Sequence, residues 1–207
     1  MTIKSIKKDK KHLTKLFLSD GAEMLVDNDI CAERGIYEGM DFDLQLLQEI
    51  KTESDYKRAK SRALWYLDRM DYTEKALFEK LVRAGFDKKA SAKVLANLVE
   101  FGMVDDRRFA QRFAERCCEN NISNREATQK MLLKGVPLDL AKEVLCEIET
   151  DEEEQITNLL SKKYAYKLTQ EKGTERVFAA LVRKGFSFSA IKSAMKRYND
   201  QLEFCEE

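Results

Sequence analysis

The sequence predicts a mainly α-helical protein, in which three tandem three-helix bundle units follow a small β-rich N-terminal region. Composition supports the helices, since charged residues make up 36% of the 207 residues and apolar residues 43%, with only eight glycines and one proline. A glycine-centred apolar pattern that recurs every 50 residues supports the tandem units. A hairpin pattern near the N-terminus supports the β-rich region.

Two short apolar runs near the N-terminus surround a turn pattern. The first run ends at Leu18, the second begins at Met24, and Asp20-Gly21 lies between them. Asp-Gly between apolar runs is typical of a β-hairpin, because glycine adopts positive φ in a tight turn. A helical pattern follows from about residue 55. We therefore expect four segments, with these bounds: 1–50 for the β-rich region, 51–102 for unit 1, 103–149 for unit 2, and 150–207 for unit 3 with an acidic tail.

Three glycines hold the same place in three similar segments. Gly85, Gly135 and Gly185 each follow an apolar helical pattern and precede an apolar residue. Helices often end in a left-handed glycine. In the Schellman motif the residue after that glycine contacts the residue that lies four positions before the glycine. The expected contacts are Leu81 with Phe86, Met131 with Val136, and Leu181 with Phe186. Each unit thus has one helix ended by glycine, between two other short helices.

Capping residues indicate where several flanking helices begin. Asp105 is interpreted as an N-cap and Asp106 as an acid in the first turn, in preference to a metal or acid–base pair. Ser123 and Glu126 have the spacing of a capping box. The other candidate starts are Pro137 in unit 2, with Thr169 or Thr174 and then Ser187 in unit 3.

No motif in the sequence points to catalysis or to a cofactor. The five cysteines are odd in number and form no C-x-x-C pair, and the one histidine, His12, lies in a lysine-rich stretch, so a metal site or a disulfide framework is disfavoured. Phosphate loops and nucleophile elbows are absent. There is no apolar run of membrane-spanning length and no signal-peptide pattern. We expect a cytoplasmic binding protein without a cofactor, a metal or catalytic residues.

Positive charge is concentrated in two units, although the net charge of the chain is zero. Residues 56–93 carry a net charge of +6, residues 155–197 of +8, and residues 101–150 of −1. Such charge either keeps helices soluble or contacts nucleic acid or an acidic protein surface. Trp65 and Tyr66 are interpreted as core or half-exposed aromatic residues in preference to a base-stacking platform. The candidate binding residues are three pairs spaced four apart, which therefore share a helix face: Arg58 and Arg62, Lys163 and Lys167, and Lys192 and Lys196.

The motifs of unit 1 and of the start of unit 2 resemble those of the RecX family. That family's pattern is a helix ending in K-G-F, then V-L-x-x-L, then glycine, two apolar residues and D-D-x-x-(F/Y)-A. The matching sequences are LVRAGF at 81–86, VLANL at 94–98 and GMVDDRRFA at 102–110. The match covers about residues 58–115, and the tandem units extend it to about 198. The motif residues interpreted as structural are Gly85, Phe86, Gly102, Asp105, Asp106, Phe109, Gly135, Gly185 and Phe186.

The resemblance implies that the three-helix units form an elongated, curved array and that the protein is a regulator of the RecA recombinase. RecX proteins bind the RecA–DNA filament, inhibit its ATP hydrolysis and strand exchange, and favour its disassembly; the family has no catalytic residue. The expected partners are the RecA filament and DNA, contacted through the filament or directly, and we expect a monomer. The alternative is a helix-turn-helix transcription factor, in which a recognition helix enters the major groove. Only the third helix of unit 1, which begins with Lys88 and Lys89, has side chains suited to that role.

Overall fold

The N-terminal strands form a small antiparallel sheet. The structure, a computed structural model, describes residues 1–9 and 12–205, with side chains described as far as residue 200. The strands pair in the order β1 (Ile3–Lys8), β2 (Leu13–Leu18) and β3 (Glu23–Asp27). Strands β2 and β3 form the predicted hairpin, and Gly21 in its turn has a φ of +86°.

Helices make up most of the remaining described chain. In chain order they are α1 (Asn28–Glu33), α2 (Leu44–Leu67), α3 (Glu74–Arg83), α4 (Lys88–Glu100), α5 (Asp106–Glu119), α6 (Asn124–Leu133), α7 (Leu138–Glu147), α8 (Glu152–Leu159), the π-helical turn Leu160–Tyr164, α9 (Ala165–Leu168), α10 (Gly173–Arg183) and α11 (Phe188–Cys205). This order confirms the prediction of a mainly α-helical chain with three three-helix units after a β-rich region. No described helix is both long and apolar enough to cross a membrane. The end of the predicted acidic tail, Glu206 and Glu207, lies outside the described residues.

The chain divides into two compact units, residues 1–104 and residues from 105 onward. In the first unit, α2 contributes to two cores. Ile50 is buried against the sheet, whereas Ala59 and Ala63 are buried in the first three-helix bundle. The helix passes without interruption through residue 50, where the sequence suggests a boundary, because no glycine, proline or new cap lies between Leu44 and Leu67.

Polar side chains connect α2 to the end of the sheet. The backbone N–H of Asp27 donates to the Ser54 hydroxyl at 2.9 Å. The Lys57 ammonium lies 3.0 Å from Asp27 and 2.6 Å from Asp29. The hydrogen bond from Lys57 lowers the pKa of Asp29, and that same bond raises the pKa of Lys57. This cluster fixes the first half of α2 against the turn between β3 and α1.

Each three-helix unit has its own apolar core. In the first unit of the chain the core helices are the second half of α2, then α3 and α4, with Leu77, Leu81, Val94, Leu98 and Val104 buried alongside the two alanines. From residue 105 onward, α5–α7 bury Phe109, Ala110, Ala114, Cys117, Ala127, Met131, Val136, Ala141, Val144 and Leu145. The last bundle, from α8 to α11, buries Ile156, Leu160, Tyr164, Val177, Leu181, Phe186, Ala190, Ile191, Ala194 and Met195.

The three predicted Schellman motifs are all present. Gly85, Gly135 and Gly185 have φ values of +90°, +95° and +91°. In each unit the N–H after the glycine donates to the carbonyl five residues earlier, as from Phe86 to Leu81 at 3.2 Å. Positive φ costs an L-residue with a side chain about 1–2 kcal/mol, so glycine is the residue that ends these helices most easily.

Most predicted caps are also present, with one correction. The Asp105 carboxylate accepts from the N–H of Arg108 at 2.9 Å, the Ser123 hydroxyl from that of Glu126 at 3.2 Å, and the Ser187 hydroxyl from that of Ala190 at 3.3 Å. The expected threonine cap of α10, at Thr169 or Thr174, is wrong. Helix α10 follows Lys172, which is left-handed with a φ of +56° and makes no side-chain cap. Helix α10 therefore begins without the side-chain cap that the sequence predicts.

Candidate binding surfaces

The first candidate pair, Arg58 and Arg62, lies on α2, and the two side chains differ in their exposure to solvent. The Arg58 guanidinium is 3.3 Å from the Asp55 carboxylate and 5.8 Å from the centre of the Phe86 ring. These contacts join α2 to the turn at Gly85 and leave Arg58 only partly accessible. Arg62, one helical turn further on, is exposed. Arg62 is therefore the member of the pair that presents most of its charge to solvent, while Arg58 also serves the fold.

An exposed tryptophan extends this pair into an aromatic and cationic stripe. Trp65 is 47% exposed, with the Arg69 guanidinium 3.5 Å and that of Arg62 5.5 Å from its ring centre. Spacings of four and three residues place Arg58, Arg62 and Trp65 on one side of α2. Arg69 follows in the turn after the helix, and its guanidinium returns to the Trp65 ring. Arg69 is not among the predicted residues, because helical spacing does not extend beyond the end of α2. Exposed rings beside cations suit stacking on unpaired bases with phosphate contact.

A depression of about 620 Å³ lies beside Arg58, between α2 and the start of α4. Its other cationic side chains are Lys51, Lys89 and Lys93, and its acidic ones are Asp55 and Asp87. Asp87 caps α4, and hydrogen bonds from the N–H groups of Ala90 and Lys89 lower its pKa, so it stays charged at neutral pH. The sequence analysis missed this cluster because its members lie far apart in the chain.

The second candidate pair surrounds a tyrosine in the last bundle. Lys163 belongs to the π-helical turn and Lys167 to α9, so the regular α-helix expected to carry both is interrupted. Their ammonium groups nevertheless lie 6.0 Å and 5.8 Å from the centre of the buried Tyr164 ring. Both side chains are exposed, and they remain together on the surface.

The third candidate pair lies on α11. Lys192 and Lys196 are exposed, whereas Ala194 and Met195 between them are buried in the bundle core. The burial of those two residues defines the inner face of α11 and leaves the lysines on its outer face. The neighbouring Arg197 instead binds Glu153 of α8 at 3.1 Å. Lys192 and Lys196 thus form a small basic strip without an ion pair among the described residues.

The motif residues around Asp105 have structural roles. Phe109 is buried, and Arg107 binds both Glu143 at 2.8 Å and Glu147, so α5 is joined to α7. Hydrogen bonding to Glu143 raises the pKa of Arg107. Asp105 caps the helix and Asp106 lies in its first turn. The positions of these side chains agree with their interpretation as parts of the fold.

The described residues show no arrangement typical of a reaction centre. None of their His, Cys, Asp and Glu side chains form a group of three that could hold a metal ion. Burial raises the pKa of the Cys117 thiol, and likewise that of Cys31, which disfavours the reactive thiolate. His12 is exposed at the sheet end. The surface features that remain are cations and exposed rings, which suit binding.

The fold defines a helical-repeat protein, built from three-helix units that share one glycine motif. Comparison with known proteins narrows this class. The family model of the RecX first three-helix domain matches residues 59–98, and that of the RecX third three-helix domain matches residues 151–195.

Similar proteins and solved structures point the same way. The Regulatory protein RecX of Clostridium tetani is 25% identical over 202 residues, spanning 94% of this chain and 93% of its own. That of Streptococcus gordonii is 29% identical over 199 residues, spanning 94% and 76%. A crystal structure of regulatory protein RecX has a TM-score of 0.69 at 20% identity, covering 94% of this chain and 98% of its own. RecX from Lactobacillus salivarius has a TM-score of 0.63 at 18% identity, covering 70% and 97%.

The two structures share the fold of this chain. The domain matches and the curated relatives show that this chain is similar to RecX regulatory proteins along most of its length.

Proposed function

We propose that this chain is a non-enzymatic regulator that binds the RecA–DNA filament and lowers RecA's ATP hydrolysis, strand exchange and filament growth. The observation that supports this best is the presence of the first and third RecX three-helix domains in order along the chain. In this role the protein acts in the cytoplasm as a monomer. Its partners are RecA and DNA, and it needs no cofactor.

The stripe on α2 is the surface best suited to the DNA of such a filament. Arg62 and Arg69 supply positive charge on both sides of Trp65, and all three side chains are exposed. Stacking of an unpaired base on an aromatic side chain contributes about 1–3 kcal/mol, independent of base identity. Phosphate contacts by the arginines add a term that weakens as salt rises. The lysine pairs of the last bundle are the second proposed contact.

A direct test combines RecA, single-stranded DNA and ATP with this protein. We expect hydrolysis and filament length to fall together at protein concentrations well below that of RecA. Unchanged hydrolysis at equimolar protein would contradict the proposal. The sharpest variant is Arg62→Glu with Arg69→Glu, because both side chains are exposed and Arg58, which supports the fold, stays intact.

The matched control for that variant is Arg83→Glu with Lys75→Glu. Both control residues are exposed on α3, in the same three-helix unit, and the change in net charge is equal. We expect the stripe variant to lose most of its inhibition and the control to keep it. Equal inhibition by the stripe variant and the parent would assign filament binding to another surface.

One observation favours sequence-reading DNA binding as the alternative: α4 begins with exposed Lys88 and Lys89. The equivalent helices argue against it, because α7 begins with Leu138 and α11 with Phe188, both exposed and apolar. Recognition helices read base edges with polar side chains near their N-termini. Footprinting on genomic and sequence-scrambled DNA separates the two functions, since a transcription factor protects specific sites and a filament regulator does not.

A further inference from the structure

An apolar depression of about 650 Å³ lies between α5 and α6, apart from the basic surfaces described above. Its apolar lining comes from Phe113 and Ile122, both partly buried, and from Leu133 on the last turn of α6. Three cationic side chains line the same depression: Arg116, Lys130 and Lys134. We call this feature the α5–α6 groove.

Leu133 is the residue of the groove that folding does not explain. Its side chain is 89% exposed, so it contributes almost nothing to the bundle core. The tandem repeat gives an internal comparison, because the equivalent positions in the other units are Arg83 and Arg183. A single exposed leucine is unremarkable by itself. Here it stands beside a concave apolar surface, at a position where the two other repeats place a charge.

The charges around the groove specify the kind of ligand. The Arg116 guanidinium lies 5.9 Å and the Lys134 ammonium 5.6 Å from the centre of the Phe113 ring, so cations flank the most aromatic part of the lining. Lys130 is 2.8 Å from Glu126 and is largely neutralised by it. The residues that line the groove include these three cations and no Asp or Glu. Such a lining complements carboxylates and repels a basic peptide.

We infer that the α5–α6 groove binds an acidic amphipathic helix of a partner protein. Large apolar side chains of that helix pack on Phe113, Ile122 and Leu133, and its carboxylates lie beside Arg116 and Lys134. This is the helix-in-groove mode of recognition, in which apolar anchors recur at helical spacing and flanking charges select the partner. An anionic membrane has similar charge, but it suits a projecting surface better than a groove between two helices.

The test uses a fluorescein-labelled peptide of about 18 residues that forms an amphipathic helix, with leucines every three or four positions on one face and glutamates on the other. Anisotropy is measured with the full chain, and the comparison peptide carries lysine in place of each glutamate. We expect saturable binding of the acidic peptide only. Leu133→Asp should weaken it by about tenfold or more, because it removes the anchor and adds a repelling charge.

The matched control is Leu138→Asp, which makes the same change at another exposed leucine of the same bundle, outside the groove. We expect it to leave peptide affinity within about twofold of the parent. Circular dichroism checks that each variant is folded. Leu133→Arg, which installs the residue of the other two repeats, and Arg116→Glu give the same information if Leu133→Asp is unstable.

Several results would overturn the inference. These are no saturable binding of the acidic peptide, equal binding of the lysine peptide, or equal loss in Leu133→Asp and Leu138→Asp. Binding to vesicles of anionic lipid without peptide binding would assign the groove to a membrane surface instead. Self-association that disappears in Leu133→Asp would assign it to a second copy of the chain. None of these readouts involves RecA, so they are separate from the test of the proposed function.

Discussion

Replacing two glycines of the repeat by valine separates a local constraint from a tertiary one. Gly85 and Gly185 end equivalent helices with almost the same φ, +90° and +91°. Their surroundings differ. A β-carbon built on Gly85 meets no atom within 4 Å, whereas one on Gly185 would lie 2.9 Å from Cβ of Arg125 and 3.0 Å from the Ser123 hydroxyl oxygen. That hydroxyl also donates to the carbonyl of Lys184.

The expected losses of stability follow from these contacts. Gly85→Val should cost about 1–2 kcal/mol, the penalty of placing an L-residue in the left-handed region. Gly185→Val has the same penalty and adds an overpacking cost of about 1–3 kcal/mol. Displacement of Ser123 also removes its hydrogen bond to Lys184, at about 0.5–1.5 kcal/mol. The second variant should therefore lose at least about twice as much stability as the first.

Urea unfolding followed by two probes measures both effects. Trp65 is the only tryptophan of the chain and lies in the compact unit of residues 1–104, so its fluorescence reports on that unit. Circular dichroism reports on all helices. We expect Gly85→Val to lower the urea midpoint measured by fluorescence. Gly185→Val should lower the urea midpoint measured by circular dichroism, and its loss of stability should be larger than that of Gly85→Val. Equal losses would refute the role of Arg125 and Ser123, and no loss in either variant would refute the left-handed assignment.

Three other predictions test single contacts. Asp105→Ala should destabilise the chain by about 1 kcal/mol through loss of the N-cap, and Asp105→Asn should restore most of that loss in thermal melts. Lys57→Met should lower stability at intermediate pH and make stability depend less on pH. The wild-type advantage should be full between the ordinary pKa values of a carboxyl and a lysine, and should disappear as pH falls through the lowered pKa of Asp29 or rises through the raised pKa of Lys57, as urea midpoints across pH would show. The double variant Lys192→Glu with Lys196→Glu should leave helix content unchanged. It should bind the filament more weakly, and that binding should depend less on salt concentration. Unaltered binding in a sedimentation assay would remove α11 from the proposed contact.

The features that the sequence predicts correctly are those set by neighbouring residues. The three glycine-terminated helices and the caps at Asp105, Ser123 and Ser187 depend on hydrogen bonds between residues at most five positions apart. The turn of the hairpin is local too, since the N–H of Leu18 donates to the carbonyl of Ala22. Local chemistry of this kind leaves a direct pattern in the sequence. The predicted cap of α10 is wrong because the helix follows left-handed Lys172, and no capping residue marks that position in the sequence.

The sequence by itself therefore determined the helical units, their repeat and where several of the helices begin or end. Only the tertiary structure decided which side chains of those helices remain accessible. It buries much of Arg58 against Phe86, leaves Trp65 half-exposed beside Arg69, and brings Ser123 and Arg125 against Gly185. Periodicity gives the face of a helix, but the burial of each residue on that face depends on which distant segment packs there. For that reason the sequence predicts where positive charge lies along the chain, but the shape of the basic surfaces comes only from the tertiary structure.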